Sequence, residues 1–174
     1  MKKLTILMLC LVFSIPFAVS KVEKPNYDFS LDTLSDFFPE KLVSELDKKY
    51  GKPEVMNEKY GVQTLKYYVA QIRYKFPVIL QAKDGIVLDF FARLPNYFLH
   101  DVFFQSLINR QGKQDAYKKI GEEAVYTWDK KPLQHVYSAA CTITCFPIFY
   151  SVFPAESSTP ALIMKMKEAY KGSD

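Results

Sequence analysis

Catalytic signatures are the first thing this chain lacks. Its 174 residues hold only two His, three Cys and six Gly, and no Gly-x-Ser-x-Gly elbow, Ser-x-x-Lys pair, His-Glu-x-x-His helix or phosphate-cradling glycine loop occurs. The commonest recognisable hydrolase signatures are therefore excluded, no residue is assigned a catalytic role, and no cofactor is expected. A charge excess is lacking too, with 23 Lys and Arg against 19 Asp and Glu. The lysine doublets at 48–49, 118–119 and 130–131 are scattered rather than clustered, which argues against nucleic acid as a partner. Past residue 20 nothing reads as a stop-transfer segment, which would take ~20 apolar residues.

What is present begins with Met1, Lys2 and Lys3, followed by the charge-free apolar stretch Leu4 to Val19, broken by Ser14 and Pro16. A short cationic start before such a run is the pattern of a cleavable export signal, and Ala18 and Ser20 supply the small residues before a cut after Ser20. No Cys stands at the cut to take a lipid, and Cys10 leaves with the leader. Residues 1–20 are thus expected to be a signal peptide, 21–30 an exposed lead-in around Pro25, and 31–174 one domain, periplasmic or secreted. Removing 20 of 174 residues leaves 154, enough for a single core, and lowers the charge balance to 21 against 19.

Apolar side chains then recur at Leu34, Phe38, Leu42, Leu46 and Tyr50, a helical stripe that Pro39 divides into a short turn of helix and a longer one and that Gly51 and Pro53 terminate. From Leu65 to Tyr74 the period drops to two, and Val78 to Ala82 and Ile86 to Arg93 flank Asp84-Gly85, a pair suited to a tight hairpin turn. Helical spacing returns from Phe98 to Ile108, and Gln114 to Ile120 reads as a further turn of helix. Glu123 to Trp128 and Leu133 to Cys145 read as a hairpin, Phe149 to Phe153 as a last strand, and Ala161 to Tyr170 as a short amphipathic helix. The expected fold is α+β: a mainly antiparallel twisted sheet of about five to six strands, with two main helices and the short C-terminal helix packed on one face.

A helix closing on Gly51, Lys52 and Pro53, followed by a Tyr-rich strand and an Asp-Gly hairpin, resembles the small envelope-assembly lipoproteins that place a Gly-x-Pro turn between helix and sheet. The likeness stops at that hairpin and lacks the lipidated cysteine, so no function is carried over from it.

Cys141 and Cys145 are the two cysteines that remain after cleavage, and in an oxidising compartment they should pair. In one regular strand, however, four steps hold them ~13 Å apart, whereas a disulfide tolerates at most ~6.8 Å between α-carbons. Either the backbone turns between them and they bond, or the thiols enter the core separately; the residues leave both open. His135 shares their parity, but six strand steps span ~20 Å, so a zinc site of these three is excluded and His135 reads as a rim residue. Thiol catalysis would need a cysteine beside His100 or His135, and nothing in the spacing brings one there.

Aromatics are abundant, with 12 Tyr and 14 Phe. Clusters such as Tyr67-Tyr68 and Phe90-Phe91 exceed what a helix-covered face can absorb, and alternation sends Tyr68 and Phe91 to the far side of the sheet. An apolar patch there would be a binding surface. The chain is therefore expected to be a non-catalytic binding or envelope-associated module, with a protein or other envelope component as partner and Tyr68 and Phe91 as contact residues. The alternative is an exported enzyme whose acid/base or thiol site is assembled only in the fold.

Overall fold

The computed structural model describes residues 30–71, 74–94, 100–141 and 145–156. The expected leader, most of the lead-in and the expected C-terminal helix lie outside them.

The first element is a 3-10 helix, Leu31–Phe37, whose N-terminus is capped by Ser30 Oγ accepting from Asp32 N at 3.2 Å. A short α-helix, α1 (Val43–Tyr50), follows and ends at Gly51, which has φ +82°, the left-handed region that glycine enters at little cost. Four strands come next: β1 (Glu54–Lys59), β2 (Val62–Gln71), β3 (Tyr74–Lys83) and β4 (Ile86–Leu94). The order then repeats, with a helix α2 (His100–Gln111) and strands β5 (Ala116–Ile120), β6 (Glu123–Lys130), β7 (Leu133–Cys141) and β8 (Cys145–Pro154).

All eight strands lie in one antiparallel sheet of order β1-β2-β3-β4-β8-β7-β6-β5. Two helix-plus-meander halves therefore meet through their last strands, where Phe90 pairs with Val152 and Leu94 with Ile148. The β3–β4 turn is the expected Asp84-Gly85 pair, both residues at positive φ.

Both helical segments lie against one face of the sheet. Leu31, Leu34, Phe37 and Leu46 from the first half and Phe103 and Leu107 from the second are buried with Tyr67, Val78, Phe90, Tyr137, Tyr150 and Trp128 in the main core. Polar bonds fix the helices there: Tyr67 Oη donates to Asp47 Oδ1 at 2.7 Å, and Trp128 Nε1 donates to Gly112 O at 2.8 Å. Arg110 Nε reaches Asp32 Oδ1 at 2.9 Å and so links the end of α2 to the start of the 3-10 helix. The opposite face carries a second, smaller cluster of Ile79, Phe91, Val136 and Phe149.

The expected sheet of five to six strands is corrected to eight. The two missed strands are the edges, β1 and β5, in which every residue is exposed. An edge strand with no buried side shows no apolar alternation; only its ladder to β2 or β6 makes it a strand. Gln114 to Ile120, expected as helix, is accordingly edge strand from Ala116 onward. The single strand expected from Leu133 to Cys145 is also corrected, since the chain reverses within it and β7 pairs with β8. The main helical stripe is shorter than expected as well: Leu42 sits ahead of α1, is 47% exposed and bridges to Ile86.

Candidate functional site

His100 is the first residue of α2 and is half-buried over β7. Its Nδ1 lies 2.9 Å from Tyr137 Oη, and its ring stacks on Tyr137 at 5.6 Å and on Phe104 at 5.7 Å between centroids. Tyr126 joins this group, 4.4 Å from Phe104, and the exposed Tyr117 of edge strand β5 lies 5.1 Å from Tyr126. A continuous line of rings thus runs from the sheet edge to the histidine.

Burial governs the protonation of these groups. It lowers the pKa of His100 from the usual histidine value, and the nearby Asp101 carboxylate offsets this in part. Burial first, then Tyr126 and Asp101, push the Tyr137 hydroxyl far above the ordinary tyrosine range, so it stays protonated. That hydroxyl also points at the His100 carbonyl, 3.4 Å away. With the Tyr137 proton given to that carbonyl, His100 Nδ1–H donates to Tyr137 Oη and Nε2 keeps the free lone pair.

Cys141 and Cys145 are directly opposite each other in the β7–β8 register and are joined by a disulfide. The fold resolves the alternatives left open by the sequence, because the two cysteines stand on neighbouring strands and not four steps along one. Each is partly exposed. His100, Cys141 and Cys145 each present one ligand atom, all within 4.8 Å of one another. Sequence spacing gave no hint of this meeting, since it needs the start of α2 to land beside the end of the β7–β8 hairpin.

His135 does not join them. The rim position expected for it is corrected: it is 3% exposed, its Nδ1 lies 2.9 Å from Tyr150 Oη, and Phe38 meets its ring edge-on at 5.5 Å. Burial, with the Lys130 charge second, lowers its pKa to about 4. An open groove of about 420 Å³ is lined by Lys131, Pro132, Pro154, Ala155 and Glu156, and neither histidine lines it.

Tyr68 and Phe91 do share the face opposite the helices, but in different settings. Tyr68 is 46% exposed, with Lys66 Nζ 5.5 Å from its ring centroid, and that ammonium is held by Glu54 at 2.7 Å. Phe91 is only 1% exposed and packs on Phe149 at 5.2 Å between centroids. Its position in a central strand, between Ile79 and Phe149, closes it off.

No known family model matches the sequence, and no curated protein matches it. Among solved structures, a DUF4309 family protein from Bacillus subtilis is similar with a TM-score of 0.45 and 10% identity, over 67% of this chain and 80% of that one. A cysteine-rich secretory protein from Staphylococcus aureus is similar with a TM-score of 0.40 and 12% identity, over 78% of this chain and 48% of that one. This chain therefore spans about half the length of the second. Among the described residues, no helix is long and apolar enough to cross a membrane.

Proposed function

We propose that the protein is an exported, non-catalytic binding module that holds a protein or other envelope component against the helix-free face of its sheet. The observation that carries this reading is Tyr68, a large aromatic side chain 46% exposed on β2, on the face of the sheet opposite the helices. Tyrosine presents a rigid ring and a polar tip at small entropic cost, and it is enriched at the centres of protein interfaces. Lys66 Nζ, beside the ring, is paired with Glu54, so the patch offers a partner an aromatic group flanked by an ion pair. Phe91 lies on the same face two strands away, packed in the cluster with Ile79, Val136 and Phe149. Export is supported by the signal pattern of residues 1–20 and by the disulfide, which is the stable form of such a pair outside reducing compartments.

A photo-crosslinking residue in place of Tyr68 tests the reading in intact cells. One discrete adduct, absent when the same group replaces exposed Glu45 on α1, is the expected result. No adduct, or the same smear from both positions, overturns it.

A second reading, an exported enzyme with a thiol site assembled only in the fold, has one observation in its favour: His100 stands beside the Cys141–Cys145 pair. Turnover of a small disulfide or dithiol that His100→Ala abolishes would favour this reading over the first.

A further inference from the structure

The meeting of His100 with two cysteines permits more than a disulfide. Because Cys141 and Cys145 face each other across β7 and β8, opening the S–S bond leaves the two residues held opposite each other by the strand register, and the sulfurs part only by side-chain rotation. A tetrahedral zinc with Zn–S bonds of ~2.3 Å and a Zn–N bond of ~2.0 Å sets its sulfurs about 3.8 Å apart and sulfur from nitrogen about 3.5 Å apart. The three ligand atoms already lie within 4.8 Å of one another, so side-chain adjustments of an ångström or so complete the set. Two further features suit a metal. Tyr137 Oη, 2.9 Å from His100 Nδ1, is the outer partner that orients a ligating imidazole and fixes its tautomer. All three residues are partly exposed, which leaves an entry path and room for a fourth ligand.

We propose that His100, Cys141 and Cys145 form a redox-gated site for a thiolate-binding divalent cation of the zinc type, of which the disulfide is the closed, metal-free form. Opening takes two electrons from a dithiol. One of its thiolates attacks a cysteine sulfur, the S–S bond breaks, and the other cysteine leaves as a thiolate. The second thiol of the reductant then displaces the first cysteine, so the reductant ends as its own disulfide and the protein as two thiols. Zinc binding releases the two thiol protons to solvent and takes the lone pair of the histidine. A disulfide oxidant runs the exchange in reverse: it takes the two electrons of the thiolates and two protons from solvent, ends as its own dithiol, and the re-formed S–S bond releases the ion, so metal occupancy would report whether the protein stands in a reducing or an oxidising compartment.

Cobalt(II) is a direct probe, because thiolate ligation gives it an intense charge-transfer absorption. The protein is reduced, desalted without oxygen and titrated with Co²⁺, then with Zn²⁺. The expected result is one Co²⁺ per chain with thiolate bands, displaced by Zn²⁺, and no binding by the oxidised protein. His100→Ala should keep the thiolate bands but weaken the affinity at least about tenfold. Should that variant lose its far-ultraviolet circular dichroism, His100→Gln, which retains a donor for Tyr137, takes its place. The absence of thiolate bands from the reduced protein overturns the proposal, as does wild-type affinity in a folded His100 variant.

Discussion

His100 Nδ1 lies 2.9 Å from Tyr137 Oη, joining the first residue of α2 to the middle of β7 across 37 positions of sequence. The bond is part-buried, and the tyrosine hydroxyl is held protonated by burial, so it is present across the working pH range. Tyr137→Phe keeps the ring stacking and removes only the oxygen. A loss of about 1 kcal/mol in urea unfolding is expected, the usual net value of one such bond. The ¹⁵N shifts of the His100 ring should also move toward a mixture of tautomers. An unchanged histidine spectrum would mean that the contact does not set the tautomer.

Tyr68 and Phe91 make a matched pair for separating surface from core. Both lie on the face away from the helices, but Tyr68 is 46% and Phe91 1% exposed. Tyr68→Ala should change stability by no more than about 0.5 kcal/mol. Phe91→Ala leaves a cavity beside Phe149 and should cost about 3 to 5 kcal/mol. Chemical denaturation of the two variants side by side measures the contrast. Equal losses would show that Tyr68 is a packing residue and remove the surface from consideration.

The interior strands were legible because each has a buried side. Leu65, Tyr67 and Val69 in β2 and Phe90, Ala92 and Leu94 in β4 alternate as one face of a sheet should. The Asp84-Gly85 turn was legible for a local reason, its positive φ values. The edge strands were not, since the exposed residues of β1 and β5 carry no pattern that distinguishes strand from helix or loop. The reversal between Cys141 and Cys145 stayed undecided for the opposite reason: Thr142, Ile143 and Thr144 are good strand formers and contain no turn residue. With that reversal only one of two open readings, the disulfide stayed undecided and His100 had no reason to be placed beside it. Convergence of a helix end and a hairpin end is a property of topology, and no spacing within either element encodes it.

Those patternless edges have a consequence for solubility. β5 presents an unpaired ladder edge, and its exposed Lys118 and Lys119 sit between the exposed Tyr117 and Ile120. Charged residues on an edge strand discourage addition of a further strand from another molecule. Lys118→Thr combined with Lys119→Val should leave the monomer folded yet drive concentration-dependent association. Light scattering across a dilution series reads it out, with the parent protein unchanged over the same range. Dispersal of the double variant as a monomer would show that the edge is protected by something other than its lysines.

The buried His135 ties stability to pH. Its folded pKa is lowered to about 4, by burial above all, whereas an unfolded chain titrates near the ordinary value of about 6.5. Between those two values the unfolded chain binds a proton that the folded chain refuses. The stability linked to this residue is therefore fully present above pH ~6.5, is lost as the pH falls, and is gone below ~4, where both states are protonated. A shift of this size corresponds to about 3 kcal/mol, an order-of-magnitude value. His135→Gln keeps a side-chain donor for Tyr150 Oη, 2.9 Å from Nδ1 in the parent, and cannot titrate. The difference in unfolding free energy between parent and variant, measured from pH 7.5 to 4, cancels the carboxylates common to both and should fall steadily in the parent's disfavour as acid is added. A flat difference across that window would show that His135 takes up its proton in the folded protein as readily as in the unfolded one, and that its place against Phe38 and Tyr150 is wetter than its burial indicates.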